Sequence, residues 1–95
     1  MISFTVRMSF SPDDRGEIGA ALRGLAAASR EEPGCVNYIA HNVVGEPDTV
    51  VIYEQYADDA AAEAHRQSPH FKKYAVGVLY QRMRDRSRED LAALD

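Results

Sequence analysis

The stretch Thr49-Val50-Val51-Ile52-Tyr53-Glu54-Gln55-Tyr56 decides the fold. β-Branched and aromatic residues dominate it, which suits a pleated strand. A two-residue period puts Val51 and Tyr53 on one face and Val50, Ile52 and Tyr56 on the other. A strand apolar on both faces needs cover on both. Just before it, Gly45-Glu46-Pro47-Asp48 is a turn, and 35–44 before that reads as a strand whose two alternating sets, Cys35/Ile39/Val43 and Val36/Tyr38/Ala40/Val44, are both apolar. The short connection makes 35–44 and 49–56 a hairpin.

Working outward, Ile2, Phe4, Val6, Met8 and Phe10 alternate with Ser3, Thr5, Arg7 and Ser9, the pattern of a half-buried strand over about 2–10. Ser11-Pro12-Asp13-Asp14 supplies a capping hydroxyl, a proline for the first helical position and early acids. The helix expected over 12–29 carries Ile18, Ala21, Leu22, Leu25 and Ala28 on one stripe, and Gly34 after Pro33 ends the segment. Beyond the hairpin, Asp58 caps a helix over 59–67. Ser68-Pro69 starts another over 69–76, which Gly77 is placed to stop. A fourth strand is expected over 78–86 and a short C-terminal helix over 88–94, capped by Ser87. The same residues also fit a continued helix, since Val78, Leu79 and Met83 lie on a helical stripe.

Strand, helix, strand, strand, helices, strand is the α+β order called ferredoxin-like, β-α-β-β-α-β: an antiparallel sheet with helices on one face. The expected domain covers 1–95, with no linker or internal repeat. Because its central strand is apolar on the uncovered side too, a two-fold homodimer stacking the two bare faces is the economical way to bury that surface.

Composition narrows the function. Eleven Lys and Arg against fifteen Asp and Glu give a net charge of −4, and 45% hydrophobic with 27% charged residues is an ordinary globular mix. Nucleic-acid surfaces draw their affinity from clustered basic residues, so no nucleic-acid partner is expected. Arg82, Arg84, Arg86 and Arg88 are interleaved with Asp85, Glu89 and Asp90, the pattern of a solvated mixed-charge surface. No apolar run is long enough to span a bilayer, so no membrane partner is expected. A single cysteine excludes a disulfide scaffold, and a reducing cytoplasmic location is the natural expectation. Cys35, with no base or resolving thiol beside it, reads as a small buried apolar group.

Four pieces in this order carry a family likeness: Arg30-Glu31-Glu32-Pro33-Gly34-Cys35-Val36-Asn37-Tyr38, Val51-Ile52-Tyr53-Glu54-Gln55-Tyr56, Ala64-His65, and Ser68-Pro69-His70-Phe71. The chain resembles the antibiotic biosynthesis monooxygenase domain family over nearly its whole length. The resemblance implies a dimeric ferredoxin-like α/β barrel. It also implies oxidation of quinols or polycyclic phenols by O2 without metal or flavin, as several members do. The family also contains haem degraders and isomerases of small oxygenated compounds. Where polyketide oxygenases of the family have asparagine and tryptophan, this chain has Ile52 and Tyr56. The haem degraders' asparagine, tryptophan and iron-ligating histidine fall at or near Val6, Tyr56 and Ala75, so haem breakdown is not expected.

Ile52, Glu54 and Tyr56 share a strand face, which the resemblance directs toward the helices, where an apolar pocket with few polar groups suits a small ligand. Phe4, Leu25, Phe71 and Tyr74 are its expected walls. A carboxylate in an apolar strand loses hydration and becomes a stronger base, so Glu54 is the candidate for deprotonating a phenol. The alternative is a structural pairing with Arg or with backbone N–H groups. His65, seven residues past the Asp58 cap, is a second candidate base or a structural histidine. Tyr56 is a candidate to hold a substrate oxygen. Ile52, His41, His70, Phe71 and Tyr74 complete the expected substrate contacts, with His41 in a cleft or on a rim. His65 and His70 are five apart across a Ser-Pro break, not at the three-or-four helical spacing of a preformed site, so no metal is expected and no cofactor is required. The expected reaction is a cofactor-independent monooxygenation of a quinol or related phenol. The competing readings are a non-enzymatic dimeric module for a small hydrophobic metabolite and an isomerase.

Overall fold

A computed structural model describes Met1–Asp95. Strand β1 (Ile2–Ser9) leads through a turn at Pro12–Asp14 into helix α1 (Arg15–Arg30). The hairpin of β2 (Cys35–Val43) and β3 (Glu46–Tyr56) follows, then α2 (Asp59–Arg66) and a helix α3 over 71–82. Strand β4 (Asp85–Leu91) closes the chain. The sheet order is β2-β3-β1-β4, antiparallel throughout, with helices on one face, the ferredoxin-like α+β arrangement. No helix is long and apolar enough to cross a membrane.

Alternation sets which residues face the helices. Phe4, Val6 and Met8 of β1 pair with Glu54, Ile52 and Val50 of β3, and all six are buried beneath the helices. From above, α1 contributes its stripe of Ile18, Ala21, Leu22, Leu25 and Ala26. The opposite sheet face is uncovered and carries Ile39, Val51, Tyr53 and Leu91 among Ser3, Thr5, Arg7 and Gln55. Gly45, at φ +86°, makes the hairpin turn in a backbone conformation that glycine adopts without strain.

The third helix and last strand differ from expectation. Gly77 does not stop the helix: Phe71–Leu79 winds with π geometry, Tyr80–Arg82 adds a final α turn, and the chain becomes extended only at Met83. Burying Ala75 and Leu79 on one side outweighs the glycine's modest helix penalty. Strand β4 therefore occupies 85–91 rather than 78–86, and the C-terminal helix expected over 88–94 is replaced mostly by that strand. Its residues, Asp-Arg-Ser-Arg-Glu-Asp-Leu, carry no apolar alternation because every one is exposed, and backbone pairing with β1 holds the strand.

Candidate functional site

Strand β3 delivers Glu54 and Tyr56 to the helix side, two residues apart and side by side. The Tyr56 hydroxyl donates to Glu54 Oε1 at 2.6 Å, with Tyr56 1% and Glu54 6% exposed. Helix α2 delivers His65. The Asp58 carboxylate accepts from Ala61 N–H at 2.8 Å and anchors that helix, so His65, near its last turn, points back at the sheet. Its ring is 5.1 Å from Tyr56, 5.6 Å from Tyr38 and 5.3 Å edge-on from Phe71, centroid to centroid. His65 Nε2 is 3.6 Å from Glu54 Oε1, and Nδ1 is 2.9 Å from Glu32 Oε2.

Burial sets the chemistry of this group. Loss of hydration raises the Glu54 pKa, and the Tyr56 hydrogen bond, His65, Arg88 and Arg86 offset that rise only in part. The net result is a carboxylate more basic than usual. Burial, with the neighbouring Glu54 second, pushes Tyr56 and Tyr38 up as well, so both phenols stay protonated, and Tyr56 serves as a donor to Glu54. Burial likewise raises the Cys35 thiol, which keeps it from acting as a thiolate.

These groups open on a cavity of about 60 Å³ whose apolar walls include Phe4, Leu25, Ile52, Phe71 and Leu79. That is room for a few waters, or for O2 beside part of one ring. Tyr80, Arg86 and Arg88 complete the cavity lining, and all three are exposed, so they mark the side that faces solvent. Arg88 lies over the Phe4 ring at 3.8 Å, so β4 places cationic groups at the cavity mouth. A wider groove of about 300 Å³ runs between α1 and β2 past Arg23, Arg30 and His41, but no buried acid or imidazole opens on it.

The expected site residues thus separate. Glu54, Tyr56, Ile52, His65 and Phe71 converge on the cavity. His41 does not: it is exposed on β2, its Nδ1 3.1 Å from Val51 O, and it lines the wider groove. Tyr74 packs on α1 at Gly24, where even a methyl group would come within 2.6 Å of its ring, so it serves helix packing. His70 lies behind His65, its Nε2 2.5 Å from Glu32 Oε2. Glu32, within the family-like segment, joins the site through His65 and His70 with no local sequence signal for that role. Tyr38, Arg86 and Arg88 also line the cavity, although the arginines carry the pattern of a solvated surface.

Glu32, His65 and His70 also bring three metal-type donors within 4.8 Å of one another. Their 2.9 and 2.5 Å contacts are closer than the roughly 3.3 Å between donors that bonds of about 2.0–2.1 Å to a tetrahedral ion impose. Hydrogen bonding accounts for the trio as it stands.

An antiparallel sheet under three helices, with a buried carboxylate, phenol and imidazole around a small apolar chamber, defines a ferredoxin-like domain equipped for proton transfer. The profile of the antibiotic biosynthesis monooxygenase family matches residues 1–76, and the chain belongs to that family. It is 31% identical over 76 residues to YcnE of Bacillus subtilis, named as a candidate monooxygenase, across 80% of each chain. The crystal structure of PA3566 from Pseudomonas aeruginosa superposes with a TM-score of 0.90 at 26% identity, covering 99% of this chain and 94% of that one. Rv0793 from Mycobacterium tuberculosis gives 0.86 at 29%, covering 99% and 95%.

Proposed function

We propose that this chain is a cofactor-independent monooxygenase that oxidises a quinol or related phenol with O2. One observation carries the reading: Glu54, made more basic by burial, sits beside Tyr56 and His65 in an apolar chamber. A phenol entering past Tyr80 displaces the Tyr56 contact and gives its proton to Glu54. Arg86 and Arg88 at the mouth offset the phenolate charge. The phenolate passes one electron to O2, and the two radicals combine through a new C–O bond to a peroxide anion. Once protonated, the peroxide loses its outer oxygen, with its hydrogen and the carbon-bound hydrogen, as water, leaving a carbonyl. The balance is phenol plus O2 giving quinone plus water. The substrate itself is the reductant, so the scheme calls on no metal or flavin.

We propose also that the chain works as a two-fold homodimer joined through its bare sheet faces, where Ile39, Val51, Tyr53 and Leu91 supply the apolar surface.

The test is oxygen consumption by the pure protein with a panel of hydroquinones and naphthols, followed with an electrode. Uptake above the buffer rate, lowered roughly a hundredfold or more in Glu54→Gln, is the expected result. Product without oxygen loss would assign an isomerase instead. No turnover of any phenol, with binding retained, would favour a metabolite-binding module.

A further inference from the structure

The buried polar chain does not end at the cavity wall. It runs from Glu54 to His65 over 3.6 Å, from His65 to Glu32 over 2.9 Å, and from the same Glu32 oxygen to His70 over 2.5 Å. Exposure of the side chains rises along the second half, from 4% at His65 through 14% at Glu32 to 20% at His70. The other Glu32 oxygen, Oε1, is buried with no hydrogen-bond partner, so it has lone pairs free to take a proton. The local sequence builds this path. Glu32 N–H donates to Ser29 O just past α1, and the Glu32 carbonyl accepts from Cys35 N–H. Ser68 Oγ donates to His65 O and accepts from Phe71 N–H, fixing the break that folds His70 back beside His65.

A carboxylate only accepts, so both imidazoles donate to Glu32. His65 then carries its hydrogen on Nδ1 and presents the Nε2 lone pair to Glu54. We propose that Glu32 is the positioning residue of the site, holding His65 in the Nδ1–H tautomer, and that Glu32 with His70 stores outside the cavity the proton that Glu54 takes from the phenol. The storage half rests on the oxygenase reading; the tautomer half does not. The proton moves from Glu54 to His65 Nε2 while the Nδ1 proton passes to Glu32, so the ring changes tautomer without gaining charge. It returns by the same route to the peroxide anion, which restores the tautomer, and no proton is gained or lost over the cycle. The 3.6 Å gap exceeds hydrogen-bond length and closes as Glu54 turns from Tyr56.

Two experiments divide the proposal. Long-range ¹H–¹⁵N spectra of the resting protein are expected to show His65 as the Nδ1–H tautomer, retained in Glu32→Gln, which keeps an acceptor, and lost in Glu32→Leu. An Nε2–H tautomer in the parent overturns the positioning role, whatever the activity. In oxygen uptake with 1,4-dihydroxynaphthalene, Glu32→Gln is expected to lose roughly ten- to a hundredfold in kcat and Glu32→Asp to recover most of it. His70→Ala is expected to slow turnover, with millimolar imidazole restoring it, a response that a merely structural histidine would not give. Full activity in both Glu32→Gln and His70→Ala overturns storage. A parent that turns over no phenol overturns the oxygenase reading and the storage built on it, and leaves the tautomer result to decide Glu32.

Discussion

Replacing Tyr56 by phenylalanine removes one oxygen and tests whether the Glu54–Tyr56 pair acts as the geometry implies. The hydroxyl donates at 2.6 Å to a carboxylate, with both residues over nine-tenths buried, so water does not readily replace it. A hydrogen bond to a charged group contributes about 1.5–3 kcal/mol and one between neutral groups about 0.5–1.5. Tyr56→Phe should therefore cost about 2 kcal/mol when Glu54 is ionised and about 1 when it is protonated. At 95 residues the larger loss lowers Tm by about 10 °C. The sign with pH follows from linkage. Burial raises the folded-state pKa of Glu54 above its unfolded value, so its desolvation penalty is absent at low pH and grows as pH rises from the unfolded value through the folded one. The tyrosine limits that rise; without it Glu54 holds its proton to still higher pH, and the variant falls further behind the parent as the parent's Glu54 ionises. Urea titrations of both proteins at about pH 4 and about pH 8, at one protein concentration, measure the difference. Repeating them in a Glu54→Gln background isolates the pair. An equal loss at both pH values, or an equal loss with glutamine at 54, would refute the reasoning.

Two further outcomes follow from packing. A methyl group added at Gly34 would collide with the Ala61 side chain, so Gly34→Ala should cost about 1–3 kcal/mol by chemical denaturation and displace α2 with its His65; adding Ala61→Gly should recover most of the loss. If the bare sheet faces pair, Ile39→Asp should shift the mass by light scattering from about 21 kDa, twice the 10.5 kDa chain, to that of one chain, while a parent already at one chain would remove the dimer from the account.

The site joins weak local signals through long-range contacts. Glu54 and Tyr56 are two residues apart, and their shared face follows from strand geometry, which made them legible as a pair. His65 was legible as a helix residue near a cap, but its distance from Glu54 depends on how α2 lies over β3. Glu32 lies 33 positions from His65, in a turn whose own sequence signals only a helix end. Arg86 and Arg88 carry no local signal of a site, because an edge strand held by backbone pairing needs no apolar alternation and their charges resemble ordinary surface.

Strand and helix periodicity, with Pro and Gly at the breaks, specifies β1, α1, the β2–β3 hairpin and α2, because each buries one face in a repeat that the chain must display. The path of 71–91 is different. Leu79 is 1% exposed, and the burial it gains in the shared core carries the helix through Gly77, an energy that belongs to the assembled core and to no local window. The meeting of Glu32, Glu54, His65 and His70 has the same origin: no short-range rule relates them, and four separate segments, the turn after α1, β3, α2 and the start of the third helix, bring their polar groups together where water is scarce.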